Sequence, residues 1–388
     1  MKRTISVVSM LLLLGGAVFA QEATRLDAAA PKDARTMAMG GAFIAMSEGY
    51  QSLYGNPASF ADKKAELTLI SMTPWVYVRP TTSNIETFQS IVGAGDDTGA
   101  MIGGISDLVA DNGFGGGVSA GLGWVGKGLG LGVVGGGEVY VSGENLIGAT
   151  GTLDGSMAAV VGIGIPLQLG PFRLQVGGDV RPYLRMTGDV VAAGLVGGLL
   201  GSGSGFDPMS LPVDLGFGLA VDLGAKLDLG NLLSVGLAIR DISTKQNFSS
   251  TTLGGALEKI QSGDLAAGAN PVEYAALPNI TLGASLTPIP VGLRKLIDVT
   301  VIAEIQDPIR VIVEQSTPWN LFHLGVEADL LGGLLAVRTG LNKGWISLGA
   351  GLDLLIMEVN VAVFTEELGL KPGYQPRTGI SAEVAIRF

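Results

Sequence analysis

The sequence contains no cysteine and a single histidine, His323. The first absence removes disulfides, thiolate metal sites and a cysteine nucleophile. The second removes any multi-histidine zinc site. Aromatic residues are scarce at 6 %, and charged residues make up only 15 %. Cations are the minority: 24 Lys and Arg stand against 35 Asp and Glu, a net charge of −11. That balance argues against nucleic acid as a partner, because such binding draws on cations that neutralise phosphates. Beyond residue 20 there is no wholly apolar run of about 18 residues, so no membrane helix is expected.

What is present is glycine, 61 of 388 residues, more than twice the usual ~7 %. The chain is nevertheless apolar on average, with a mean hydropathy of +0.45. It opens with Lys2 and Arg3, an apolar stretch from Val7 to Leu14 and a small-x-small site at Val18-Phe19-Ala20. Residues 1–20 therefore read as a secretory signal peptide, too short in its apolar part to span a bilayer. An exported, apolar, glycine-rich chain without a membrane helix points to a membrane β-barrel. Only helices and closed barrels satisfy every backbone polar group in lipid.

The alternation supports this. From Leu211 to Leu227 every odd position is apolar, while Asp214, Asp222 and Lys226 fall on even ones. Period two over such a length exceeds the usual soluble strand of ~5–6 residues, and apolar-out, polar-in alternation is the barrel signature. Similar runs occupy Ile297–Ile305, Phe322–Leu330 and Ile346–Leu354. Fourteen strands are expected, at 65–79, 113–125, 128–143, 151–166, 170–186, 211–228, 231–246, 278–288, 293–306, 319–331, 333–342, 344–356, 357–367 and 377–388. The links after even-numbered strands are tight and most of the others long, which matches periplasmic turns and external loops. An even count also returns both termini to the periplasmic side. The external stretches Asp189–Leu200 and Leu253–Gln261 are expected to carry helices. The chain stops on Phe388 inside an alternating run, as a last strand does when it must close against the first. The fold class is thus all-β: a transmembrane antiparallel barrel over 63–388.

Residues 21–62 do not alternate and are rich in small residues and turns, which suits a plug, or hatch, within the lumen. Here Arg35-Thr36-Met37-Ala38-Met39-Gly40-Gly41-Ala42-Phe43, followed by Asn56-Pro57-Ala58, resembles the N-terminal signature of the FadL-like superfamily of outer-membrane transporters, including its PorV/PorQ-like and spirochaete branches. Phrases such as Phe322–Glu327, Ala336–Leu341, Leu348–Asp353 and Thr365–Gly369 resemble that branch as well. The resemblance implies a fourteen-stranded barrel with an N-terminal hatch in the outer membrane of a diderm bacterium. It implies uptake of hydrophobic small molecules such as long-chain fatty acids, with sideways release near a kinked strand. It also implies a rival role, docking of secreted or surface proteins, and delivery by the barrel assembly machinery, which reads a C-terminal aromatic such as Phe388.

On that resemblance Gly40, Gly41, Asn56 and Pro57 shape the hatch. Residues 113–137 hold thirteen glycines in twenty-five positions. Within strands glycine marks a bulge or a close backbone approach. The run is therefore either a kinked wall with a lateral exit at Gly135-Gly136-Gly137, or a side-chain-free wall against which a plug packs. GLGVVG at 130–135 has the form GxGxxG, but strand rather than helix follows, so a dinucleotide site is not expected. His323 falls on the lumen face with no serine–histidine motif around it, and no catalytic residue, metal or cofactor is assigned. Lumen-side Arg173, Asp179, Arg181, Asp222, Arg240, Glu304, Glu327, Arg338 and Asp353 carry both signs, as a hydrogen-bonded network holding a plug requires.

Overall fold

The computed structural model describes residues 24–26, 31–95, 97–191, 207–243, 246–264 and 272–388. The expected signal peptide lies outside them. Among the described residues there are seventeen strands. The first seven are β1 (Thr24–Leu26), β2 (Glu66–Tyr77), β3 (Phe114–Gly126), β4 (Leu129–Ser142), β5 (Thr150–Leu169), β6 (Phe172–Val191) and β7 (Pro212–Leu229). Next come β8 (Leu233–Ser243), β9 (Gln246–Thr252), β10 (Val272–Ala276), β11 (Asn279–Leu286) and β12 (Ile297–Gln306). The last are β13 (Phe322–Leu330), β14 (Leu335–Asn342), β15 (Trp345–Asp353), β16 (Met357–Glu367) and β17 (Pro376–Arg387). The helices are α1 (Ala34–Ala38), α2 (Thr82–Gly93), α3 (Thr98–Asn112), α4 (Leu253–Ser262) and α5 (Pro308–Val313).

Fourteen of these strands, β2–β8 and β11–β17, form a closed antiparallel ring. β8 pairs with β11, and β17 pairs with β2 through Ile380–Val76, Ser381–Trp75 and Val384–Met72. β9 and β10 continue this wall: β9 pairs with both β7 and β10, and β1 adds to β10 in parallel. The last residue completes the seam. Phe388 N–H donates to the Leu67 carbonyl at 2.9 Å, and Leu67 N–H donates back at 3.0 Å. Closure leaves no free edge in the fourteen-stranded ring.

Every ring strand presents an exposed large apolar side chain. Examples run from Leu69, Leu122, Leu131, Ile163, Val180, Leu219 and Leu237 to Leu282, Val301, Leu324, Val337, Leu348, Val361 and Val384. An apolar belt around a closed barrel is a lipid-facing surface. The opposite parity is polar and buried, with Gln175, Asp222, Lys226, Glu304, Glu327, Asn360 and Glu383 all under 9 % exposed. No described helix is long and apolar enough to cross a membrane.

One end of the barrel carries the tight links 127–128, 170–171, 230–232, 287–296, 331–334 and 354–356. The other end carries the longer links, together with the two-residue turn 343–344. There β5 and β6 run to 20 residues and β7 to 18, well beyond the ~9–11 that cross a bilayer. The overhang is covered by helices. Ala256 of α4 is buried with Val213 and Leu215 of β7, and Val109 of α3 with Val141 and Val190. Several details differ from expectation. Between the expected strands at 231–246 and 278–288 the chain adds β9 and β10. The loop 80–112 folds into α2 and α3, capped by Thr81 and Asp97. Asp189–Val191 continue β6 rather than start a helix, and 192–200 lie outside the described residues. Helix α4 forms where Leu253–Gln261 was expected.

Candidate functional site inside the barrel

The chain before β2 threads the lumen. Lys32 sits at the long-link end beside Tyr77, Glu138 and Glu366. Asp62 sits at the opposite end, where its carbonyl accepts from Lys127 N–H of the β3–β4 turn at 2.7 Å. The described N-terminal stretch therefore emerges at the long-link end, a correction to the expectation that both termini share the periplasmic side. The chain doubles back through the barrel before its first wall strand.

A local knot shapes this inner segment. Asp33 is 3 % exposed and caps α1 by accepting from Thr36 N–H at 2.7 Å. It also accepts from Gln51 Nε2 and the Tyr54 hydroxyl, each at 3.0 Å. Tyr50, Leu53, Tyr54 and Phe60 form one buried cluster with Val125, Val134, Ala158 and Val160 of β3–β5. The inward positions beside them are glycines. A Cβ on Gly123 or Gly132 would lie 2.6 or 2.4 Å from Leu53, and one on Gly130 2.5 Å from Phe60.

The hatch residues expected from the sequence sit at close contacts with the wall. Gly40 and Gly41 have φ of +67° and +85°, a region glycine enters without strain. A Cβ on Gly340 of β14 would stand 2.1 Å from Gly40 N. Asn56 is fully buried, and Pro57 opens the 3₁₀ turn Pro57–Ala61. The Asn56 side-chain oxygen accepts from Ala58 N–H at 3.0 Å, and its amide donates to the carbonyls of Ile44 and Ala225 at 3.2 Å each. Ala225 belongs to β7, so this one side chain ties turn, segment and wall together.

Charged lumen residues make the remaining ties. Arg35 forks onto Glu327 of β13 at 2.8 and 2.6 Å, and Arg338 binds the same carboxylate. Such bidentate pairs are the strong ones. Glu304 accepts from Ile44 N–H at 2.6 Å, and His323 Nδ1–H donates to the Gly40 carbonyl at 2.8 Å. Arg173 donates to the Ala61 carbonyl at 2.7 Å. Thus Arg173, Glu304, His323 and Glu327 hold the inner segment directly, with Arg338 behind Glu327. Asp179, Arg181, Asp222 and Arg240 instead form a separate buried group with Asp241, in which Arg181 reaches Asp241 at 2.5 Å. Asp353 is exposed at a strand end. Sequence reasoning missed Lys32, Asp33, Glu138, Glu366 and Arg377, whose partners lie up to 334 positions away. For Glu138, Glu366 and Arg377 the sequence sign was inward strand parity; Lys32 and Asp33, outside any strand, carried none.

Gly135, Gly136 and Gly137 lie in an unbroken ladder. They pair with Ala120, Ser119 and Val118 of β3 and with Met157, Ser156 and Gly155 of β5. No opening is formed there. Register shifts occur instead between β2 and β3 near Thr68–Ser71, between β7 and β8 at Val221–Leu223, and at Ile386–Arg387.

Two cavities flank the inner segment, and their linings share no residue. One, of about 520 Å³, opens at the long-link end and includes Lys32, Trp75, Gly136, Glu138, His323 and Arg377. The other, of about 550 Å³, lies at the tight-turn end and includes Arg35, Gln51, Asp62, Lys226, Glu327 and Arg387. Both are rich in charge.

These features define a transmembrane β-barrel with its own N-terminal segment seated in the lumen. No family model matches the sequence, and no curated protein does. Several solved structures are similar to it. The Pseudomonas putida toluene transporter TodX is 13 % identical with a TM-score of 0.43, over 93 % of this chain and 99 % of that one. The Ralstonia pickettii toluene transporter TbuX is 10 % identical with a TM-score of 0.46, over 92 % and 98 %. A Pseudomonas aeruginosa FadL homologue is 13 % identical with a TM-score of 0.42, over 93 % and 99 %.

Proposed function

We propose that the chain is an outer-membrane barrel of a diderm bacterium that takes up hydrophobic small molecules, with residues 31–62 as the hatch. One observation carries this reading: the inner segment runs the length of the lumen between two cavities with separate linings. Each cavity has the volume of a small-molecule site, roughly 300–1,000 Å³. A molecule entering at the long-link end meets the hatch at Gly40–Gly41 before it reaches the Asn56–Pro57 seat. Long-chain fatty acids are proposed on the resemblance of the N-terminal segment, and their ionised head meets cations in the outer cavity at Arg185, Arg310 and Arg377. No residue set is assigned to catalysis.

Sideways release at Gly135–Gly137 requires parting three residues from both neighbouring strands. Gly136→Val tests that route: unchanged uptake of a hydrophobic probe removes it and leaves passage along the lumen. Phe388 is proposed as the residue read by the barrel assembly machinery, and its deletion is expected to slow assembly.

The charged linings favour a second reading, a docking barrel for a secreted or surface protein. Mass spectrometry of material co-purified from native outer membrane under mild extraction separates the two. A defined apolar molecule, near stoichiometric and lost in Asn56→Ala, supports uptake. A partner protein without a specific lipid overturns uptake in favour of docking.

A further inference from the structure

At the long-link end the Lys32 ammonium occupies a preformed cage. Its Nζ donates to the Tyr77 hydroxyl at 2.5 Å and to Glu138 and Glu366 at 3.0 Å each, three acceptors for three N–H bonds. It also lies 5.3 Å from the Trp75 ring centroid and 5.2 Å from that of Tyr77, within cation–π range. Arg377 holds the same carboxylates from the wall side, at 3.1 Å to Glu138 and 2.8 Å to Glu366. The cage is therefore charge-balanced with Lys32 in it and carries one net negative charge without it.

The two cations are not equivalent. Arg377 is a strand residue with a side chain 9 % exposed, stacked 4.2 Å from the Tyr77 centroid. Lys32 reaches in from the start of the inner segment on a flexible stem, 23 % exposed. The cavity of about 520 Å³ opens onto the cage and is lined by Lys32, Trp75, Glu138, Glu366 and Arg377 themselves. Trp75 is 7 % exposed, and among the described residues its indole Nε1 has no hydrogen-bond partner. A buried donor of that kind calls for an acceptor, which water in the cavity supplies and an ammonium does not.

We propose that this cage is a binding site for a primary organic ammonium, and that Lys32 is its tethered internal occupant. A ligand amine entering from the cavity replaces Lys32 group for group and frees its side chain from the cage, while Lys32 backbone N–H stays bonded to Ser119 Oγ of β3 at 2.9 Å. The proposal rests on the cage and the cavity, not on passage through the barrel. A primary ammonium is specified because three N–H donors are matched; a trimethylammonium offers none. The tethered lysine competes at a millimolar effective concentration, typical of short flexible tethers, so its removal should reveal the site.

The test uses the full-length barrel in detergent with n-butylammonium, which copies the lysine side chain. Calorimetry should show Lys32→Met binding it at least tenfold more tightly than the wild type. Adding Glu138→Gln to that variant should abolish the gain, and butyltrimethylammonium should bind neither protein comparably. In the wild type, butylammonium should change tryptophan fluorescence saturably, and Trp75→Phe should remove the change. This second measurement stands if Lys32→Met does not fold. Equal affinity in wild type and Lys32→Met, or a fluorescence response that survives Trp75→Phe, overturns the proposal. Loss of hydrophobe uptake in a separate assay leaves it standing.

Discussion

Asn56 offers a direct perturbation of the seat of the inner segment. Its side chain makes three bonds: one accepted from Ala58 N–H and two donated, to Ile44 and Ala225. Truncation to alanine removes a cap worth about 1 kcal/mol. It also removes two donations worth about 1 kcal/mol each net. The total, roughly 2–4 kcal/mol, corresponds to a roughly 30- to 1,000-fold rise in the population of the unseated segment. Asn56→Asp is the sharper variant because volume is unchanged. It keeps the acceptor for Ala58 but sets a carboxylate against two carbonyl oxygens in a site with no exposure, so its effect should equal or exceed that of alanine. The assay is amide hydrogen exchange of residues 40–61 in detergent, with gel mobility of the unheated barrel as the control for the wall. The expected result is accelerated exchange in the segment with the barrel intact. Wild-type protection in Asn56→Asp would refute the reasoning, and simultaneous loss of the barrel would show that segment and wall are one cooperative unit.

Three further perturbations test the same architecture. Gly340→Ala places a Cβ 2.1 Å from Gly40 N and 2.2 Å from Met39 C, both backbone atoms; exchange at residues 36–44 should rise while strand protection holds. Glu327→Ala leaves Arg338 buried without its carboxylate and part-buried Arg35 with only exposed Glu48 at 3.2 Å, a loss expected to cost about 3 kcal/mol, the low end for a broken buried pair. Arg338→Met should be milder, since Arg35 still pairs with Glu327, and thermal unfolding of the two variants gives the order. Leu348, exposed near the middle of β15, tests the lipid face: Leu348→Arg should cost about 2–4 kcal/mol in a bilayer. Leu355→Arg, in the turn at the barrel end, should cost about 0–1 kcal/mol by the same depth rule. Urea titration of folding into lipid vesicles measures both.

The wall was legible because its information is local. Phe217, Leu219 and Leu223 point outward and Asp222 and Lys226 inward, as alternation from Leu211 to Leu227 requires. Alternation from Ile380 to Ile386 likewise marked the strand that closes on β2. The pairings of the lumen were not legible. Lys32 with Glu366 and Arg35 with Glu327 depend on the path of a segment whose own sequence has no period. That path is set by which wall positions lack side chains, a property of several strands together. Helices α2 and α3 were missed for a different reason. Thr81, Asp97 and Gly113 are ordinary cap residues, but a stretch between two long strands reads first as a connection.

The glycine-rich run at 113–137 shows how two explanations divide one stretch. Its inward members Gly121, Gly123, Gly130 and Gly132 lie under Tyr50, Leu53 and Phe60, where any Cβ would overlap the inner segment. Packing accounts for them. Gly135–Gly137 are different: a Cβ there would meet neighbouring strands rather than the segment, and Gly136 and Gly137 line the outer cavity beside Glu138. The absence of side chains here keeps the approach to the Lys32 cage open. The wall is thus smooth where the hatch must sit and hollow where a ligand must arrive. The same residue type serves both because each demand is for a missing Cβ rather than for a flexible backbone. A valine at 136 would therefore narrow the approach to the cage without disturbing the seat at Asn56, and the two functions of the run can be separated by one substitution.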